Sequence, residues 1–274
     1  MATLIFDLDG VIWRGENLVS PDIPAIIKRL ERKGHRIYFL TNNSTLNQYG
    51  YQRKLARLGI KVFLNQIICS SNAARQFLEK KLENLKARSF RGEEKKVNVF
   101  VIGEKPLVRE IERLKVRLVG VYEHKKVDYV IVGADWHLTY KKLERAAEAI
   151  LEGAYFIATN NDKTYPVQGR RLRPGCGAIV AAIRASTNCR PYIVGKPNPF
   201  IIKGILKNPG LDRNSTYIIG DRLDTDILLA NRSGLRSVLV LSGTTTEKMA
   251  EKAKGREKPE YIIRNLKEIE KILK

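Results

Sequence analysis

A chain of 274 residues, 43% hydrophobic and 29% charged, has material for one large or two ordinary globular domains, at about 100–200 residues each. It has no run of about 18 uncharged apolar residues and no basic segment leading into an apolar one at its start, so neither a membrane span nor a secretory signal is expected. The 50 basic and 29 acidic residues leave a net charge of +21, which suits nucleic acid, anionic substrates or plain solubility. The basic residues are spread over segments such as Lys28–Lys33, Lys80–Arg91 and Lys248–Lys258, many interleaved with glutamate, and they name no partner.

Cys69, Cys176 and Cys189 form no C-x-x-C pair and no disulfide framework, which reads as reduced thiols in a cytoplasmic protein. His35, His124 and His137 are scattered without zinc-ligand spacing and are assigned no chemistry.

The first element is a short apolar strand, Ala2–Leu8. A helix follows over Ile23–Lys33, because Ile23, Ile26, Ile27 and Leu30 share one face, with Asp22 as N-cap, Pro24 in the first turn and Gly34 as the stop. Arg36–Leu40 is a strand, Thr45–Leu58 a helix stopped by Gly59, and Val62–Ser70 another strand-like run. Strand and helix alternating over short links predict a doubly wound parallel sheet. The charged stretch Lys80–Lys96 looks like a boundary.

A second alternating series follows. Strands are predicted at Val97–Ile102, Val127–Val132 and Tyr155–Ala158, and helices at Pro106–Leu114, Tyr140–Glu152 and Gly177–Ala185. The polar stretch Thr159–Gly175 is either functional or conceals short strands. A third series has strands at Pro191–Val194, Tyr217–Ile219 and Ser237–Leu241. Its helices lie at Pro199–Leu206 and Thr225–Ser233, before Lys/Glu-rich helical segments at the end. The simplest arrangement is an α/β core of residues 1–78 and 190–274, with an α/β domain of residues 79–189 inserted into it.

Four strand ends carry polar residues directly after apolar runs. They are Asp7 and Asp9, then Thr41-Asn42-Asn43, then Lys196 in Val194-Gly195-Lys196-Pro197, and Asp221 in Ile218-Ile219-Gly220-Asp221. In an open parallel sheet such ends line the ligand crevice. Asp7 and Asp9, two residues apart on a strand, project together, and carboxylates that close call for a cation or a shared task.

Each piece also has a plainer meaning. Asp9-Gly10 could be a hairpin turn pairing Leu4–Leu8 with Val11–Trp13. Thr41–Ser44 could cap the following helix, and Lys196 could be a surface lysine before Asn198 and Pro199 open a helix. Asp221, Asp224 and Asp226 could be first-turn helix residues. Four such coincidences, each at a strand end, are hard to sustain together.

As a set, Asp7-Leu8-Asp9-Gly10-Val11, Thr41 after its strand, Lys196, and Gly220-Asp221-Arg222-Leu223-Asp224-Thr225-Asp226 resemble the four motifs of the haloacid dehalogenase superfamily. Leu40-Thr41-Asn42-Asn43-Ser44, Ala158-Thr159-Asn160 and Pro174-Gly175-Cys176-Gly177 look like its NagD-like phosphatases with a C2-type cap. The resemblance spans the chain and implies a Rossmann-like core with an inserted cap. It implies Asp7 as nucleophile and Asp9 as acid and base. Mg²⁺ would be held by the Asp7 carboxylate, the Asp9 carbonyl and Asp221, with Asp226 beside them. Thr41, Asn42, Asn43 and Lys196 would hold the phosphoryl group.

The substrate implied is a small phosphate ester such as phosphoglycolate, pyridoxal phosphate, or a nucleotide or sugar phosphate. Transfer to an acceptor other than water, or nucleic-acid binding on an α/β scaffold, are the competing readings, although no nucleic-acid motif is present. Within Thr159–Gly175, Asn160, Asp162 and Arg170 are the candidates for touching the leaving group. Caps of that subfamily often join in dimer contacts, which leaves a homodimer open.

Overall fold

A computed structural model describes residues 1–88, 96–166 and 172–273. Part of the charged stretch after Arg88, and Arg170, lie outside these residues. The chain begins with β1 (Thr3–Asp7), β2 (Trp13–Arg14), β3 (Asn17–Leu18), α1 (Ile23–Arg32), β4 (Arg36–Thr41), α2 (Gln48–Arg57), β5 (Ile67–Cys69) and α3 (Ser70–Arg88). There follow β6 (Asn98–Ile102), α4 (Lys105–Glu112), β7 (Arg117–Leu118), β8 (Tyr129–Val132), α5 (Tyr140–Leu151) and β9 (Tyr155–Ala158). A hairpin of β10 (Thr164–Pro166) and β11 (Leu172–Pro174), then α6 (Cys176–Thr187) and β12 (Tyr192–Ile193), lead to α7 (Lys203–Leu206) and β13 (Thr216–Gly220). The last elements are α8 (Leu228–Arg232), β14 (Arg236–Val240), α9 (Glu247–Glu251) and β15 (Tyr261–Ile263).

The two ends of the chain make one parallel sheet in the order β15-β14-β13-β1-β4-β5. The intervening segment makes a second, β12-β9-β8-β6-β7, also parallel. Strands covered on both faces read as unbroken apolar runs, and Thr3–Asp7 is buried throughout. Alternation along β1 decides which core each residue enters. Leu4 and Phe6 join the cluster containing α1, whereas Ile5 joins one shared with α3 and the second sheet. In that second cluster Ala73, Ala74, Phe77 and Leu78 of α3 meet Val99, Ile131 and Ile157 from the second sheet. Each fully buried Leu, Ile or Phe there stabilises the fold by about 1.5–3 kcal/mol.

Several expectations change. β1 pairs in parallel with β4 and β13, so the hairpin reading of Asp9-Gly10 fails. A tight turn follows the strand instead, with Gly10 N–H on the Trp13 carbonyl at 2.7 Å, and the small hairpin β2–β3 lies beyond it. α3 runs unbroken across residues 78 and 79, and β12, expected among the core strands, joins the second sheet. The polar stretch after β9 does conceal strands, the hairpin β10–β11.

The C-terminal region holds the expected short helical segments, Glu247–Glu251 and Leu266–Lys271, and one strand between them. Tyr261–Ile263, hidden among Lys and Glu, adds a strand beside β14, because β-branched and aromatic side chains suit a half-buried sheet edge. Asp22 stands at the start of α1 without capping it; its carboxylate takes the Ser20 hydroxyl and Lys267 instead.

Candidate active site

β1 has β13 on one side and β4 on the other, so the chain leaves it in both directions, and that switch point opens a crevice at the strands' carboxyl ends. Asp7 closes β1, Thr41 closes β4 and Asp221 follows β13, which makes them neighbours by topology alone. Lys196 arrives from the loop after β12. It is no surface lysine: it is 4% exposed, with its Nζ 2.5 Å from Asp7 Oδ1 and 2.6 Å from Asp226 Oδ1. Asn198 does cap the turn that follows, as its plainer reading has it, accepting from Phe200 N–H.

Carboxylate oxygens of Asp7, Asp221 and Asp226 lie within 4.8 Å of one another, and all three residues are buried. One lysine against three carboxylates leaves two negative charges to be compensated. Burial, then the carboxylates of Asp226, Asp221 and Asp9, push Asp7 well above the ordinary carboxyl range despite Lys196. Burial and Asp226 lift Asp221 to about 6. Burial works against charge on Lys196, but Asp226 and Asp7 more than offset it and hold the ammonium form. Asp221 Oδ1 is buried without a hydrogen-bond donor, while Oδ2 takes the Thr244 N–H at 2.6 Å. A buried carboxylate oxygen without a donor, in a residue of a carboxylate cluster with two charges uncompensated, fits a divalent oxygen-seeking cation such as Mg²⁺.

Close backbone packing makes room for this cluster. Gly10 has φ +88°, and a Cβ there would stand 2.5 Å from Asp221 Oδ2; one on Gly243 would stand 2.0 Å from the same oxygen. Gly243 and Thr244, after β14, escaped the sequence reading. Their signal was close to that elsewhere, small polar residues shortly after an apolar strand.

Asp9 is partly exposed and accepts from Trp13 Nε1–H at 2.9 Å. The indole is fixed by stacking on Tyr51, centroids 6.3 Å apart, and by Lys54 Nζ 4.6 Å from its ring. Burial raises the Asp9 pKa, and the Trp13 bond, Lys54, Lys196 and Thr41 pull against it. Thr41–Ser44 do not cap α2, a task that falls to Asn47. Thr41 Oγ1 instead accepts from Asn43 N–H at 3.0 Å, and Asn43 Oδ1 accepts from Thr45 N–H and its hydroxyl.

The Asn42 carboxamide grips the lysine's backbone, accepting from Lys196 N–H at 2.7 Å and donating to its carbonyl at 3.1 Å. Its other N–H goes to Asp162, so a contact between Asn42 and a ligand runs through its backbone. Asp226 lies in the turn Leu223–Ile227, fully buried, while Asp224 is exposed and paired with Arg222. Asn160 Nδ2 donates to the Asn42 carbonyl at 2.7 Å, which ties the inserted segment to the phosphate-loop candidate.

The profile of the haloacid dehalogenase-like hydrolases matches residues 4–117, and a HAD-hydrolase-like profile matches 193–269. Phosphoglycolate phosphatase 1A, chloroplastic, of Arabidopsis thaliana is 34% identical over 94% of this chain and 74% of its own. The chain belongs to the haloacid dehalogenase-like hydrolases. Its place among them is NagD-like, in line with the resemblance of a putative nagD protein, at TM-score 0.81 and 28% identity over 97% of this chain and 98% of that one. A hypothetical protein from Pyrococcus horikoshii superposes at TM-score 0.87, with 36% identity over the whole of both chains. Glycerol phosphate phosphatase from Mycobacterium tuberculosis, solved with magnesium, superposes at 0.84, with 29% identity over 99% of this chain and 78% of that one. Among the described residues no helix is long and apolar enough to cross a membrane.

Proposed function

We propose that this member of the family is a Mg²⁺-dependent phosphomonoesterase for small phosphorylated metabolites, acting through a phosphorylated Asp7. The observation that carries the reading is the buried group of Asp7, Asp221 and Asp226 around a single Lys196, which has the charge deficit and the undonated oxygen that a divalent cation fills. Relatives named for phosphoglycolate and glycerol phosphate support the substrate class.

In this reading an Asp7 oxygen bonds to phosphorus as the bond to the leaving oxygen breaks, and Asp9 gives that oxygen its proton. Asp9, then a carboxylate, takes a proton from water whose oxygen attacks the same phosphorus, freeing inorganic phosphate and restoring Asp7. Burial raises the Asp9 pKa, the direction that favours the protonated form the first step uses. Lys196 orients Asp7 and draws in the phosphoryl oxygens, joined by Thr41 and the backbone of Asn42 and Asn43. Asp7, the Asp9 carbonyl and Asp221 would hold Mg²⁺, with Asp226 beside them, and the ion supplies the positive charge that lets a phosphate approach carboxylates. The inserted segment is assigned the role of a cap that shields the site and reads the leaving group.

The direct test is phosphate release from p-nitrophenyl phosphate, phosphoglycolate and glycerol 3-phosphate with Mg²⁺ present. Turnover with unequal kcat/KM is expected, and no release from any phosphate monoester would overturn the reading. Trp13→Phe tests the acid. It keeps an aromatic ring beside Tyr51 but drops the bond to Asp9, so kcat should fall about tenfold, as for one hydrogen bond to a charged group. That bond favours the charged carboxylate, so its loss raises the Asp9 pKa and moves the Asp9 limb of the pH–rate profile to higher pH. An unmoved profile would remove Asp9 from the proton transfer.

A further inference from the structure

We infer that Asp162 is a positioning residue for phosphoryl transfer, reaching from the inserted segment to fix Lys196 and Asp226 through Asn42 and Arg222; this rests on the phosphatase reading. Asp162 sits in the loop between β9 and β10. Its Oδ2 accepts from Asn42 Nδ2 at 3.2 Å, and its Oδ1 lies 3.3 Å from Arg222 Nη1. Each partner then turns to the reacting groups. Asn42 holds both backbone polar groups of Lys196, and Arg222 donates its backbone N–H to Asp226 Oδ2 at 3.2 Å. Lys196 Nζ joins Asp226 Oδ1 at 2.6 Å, which closes a ring of contacts through Asp162, Asn42, Lys196, Asp226 and Arg222.

Asp162 reinforces the facing of the Asn42 amide that the Lys196 backbone also sets. A carboxylate oxygen accepts only, so it must meet the NH₂ end; a flipped amide would set its oxygen against Asp162 and against the Lys196 carbonyl. Arg222 is pinned from the other side, where Nε and Nη2 fork onto Asp224 at 3.0 and 2.8 Å. The loop carrying Asp162 is itself held. Its N–H meets Asn160 Oδ1, its carbonyl takes Gly177 N–H at 2.9 Å, and a Cβ on Gly175 would stand 2.3 Å from that carbonyl. Both carboxylate oxygens face protein donors, and an unscreened carboxylate would repel a phosphate ester. Such a group acts from behind the site, not on the leaving group.

A residue that only positions Lys196 and Asp226 affects every substrate alike. Asp162→Asn should therefore lower kcat about thirtyfold, within the scale of a misplacement of about 1 Å, with KM changed less than about threefold. The fractional loss should be the same for p-nitrophenyl phosphate and for each alkyl phosphate turned over. Arg222→Gln should act on the same step, and the double variant should be little worse than the worse single one, because both break one ring. Losses that differ between leaving groups, or appear in KM alone, would show a substrate contact and overturn the inference; so would additive double-variant effects or an unimpaired kcat. Should Asp162→Asn fail to fold, Arg222→Gln alone carries the comparison across leaving groups. A wild-type protein without turnover on any ester would overturn the phosphatase reading as well, whereas an active wild type with an undiminished variant overturns only this inference.

Discussion

Asp7→Asn is expected to lower kcat on the order of 10⁴-fold or more, the scale on which loss of an attacking group acts, with the protein still folded. An amide oxygen in the same place is too weak a nucleophile to open a phosphate ester. The fold should tolerate it for an electrostatic reason. Burial and the neighbouring carboxylates work against charge on Asp7, so a neutral amide there removes repulsion as well as the Lys196 attraction. Lys196 keeps Asp226 as partner at 2.6 Å and is not left buried without a counter-charge. Thermal unfolding should shift by no more than a few degrees. Acid quenching during turnover of ³²P-labelled ester should trap labelled wild-type protein and no labelled variant. A variant retaining about 1% of activity would exclude Asp7 as nucleophile.

Removing Mg²⁺ is expected to stop turnover and also to lower stability, which gives a second readout independent of catalysis. Asp7, Asp221 and Asp226 repel one another, and Lys196 meets only part of that charge. A cation at 100 times its Kd adds about 2.7 kcal/mol to the folded state, which for a chain of this size raises Tm by roughly 5 °C. Asp221→Asn, which neutralises the carboxylate whose Oδ1 has no donor, should lose most of that rise. Turnover that survives a chelator, or a Tm indifferent to Mg²⁺, would remove the metal from the reading.

Much of this was legible in the chain because parallel strands buried on both faces appear as unbroken apolar runs. Their carboxyl ends appear as the first polar residues after them, as at Asp7, Thr41 and Asp221. The amphipathic helix α1 was legible for a similar reason, since Ile23, Ile26, Ile27 and Leu30 repeat at its period. The charged stretch after residue 79 did not reveal that α3 continues to Arg88, because charge marks solvent and not the end of a helix. β12 and β15 were misjudged because a two- or three-residue strand has no period of its own, and only its partner strand defines it.

By itself the sequence determined the chemistry available to this protein: which side chains end which strands, and that two carboxylates two residues apart call for a cation or a shared task. Local order carries that much, because strand polarity and side-chain period are properties of a short segment. Tertiary structure alone decided what each group meets. It buried Lys196 between Asp7 and Asp226, turned Trp13 onto Asp9, closed Gly10 and Gly243 around Asp221, and brought Asp162 across from the second sheet to Asn42 and Arg222. Those contacts join residues far apart in the chain, Lys196 and Asp7 by 189 positions, and their strength depends on burial, which no short stretch of sequence contains.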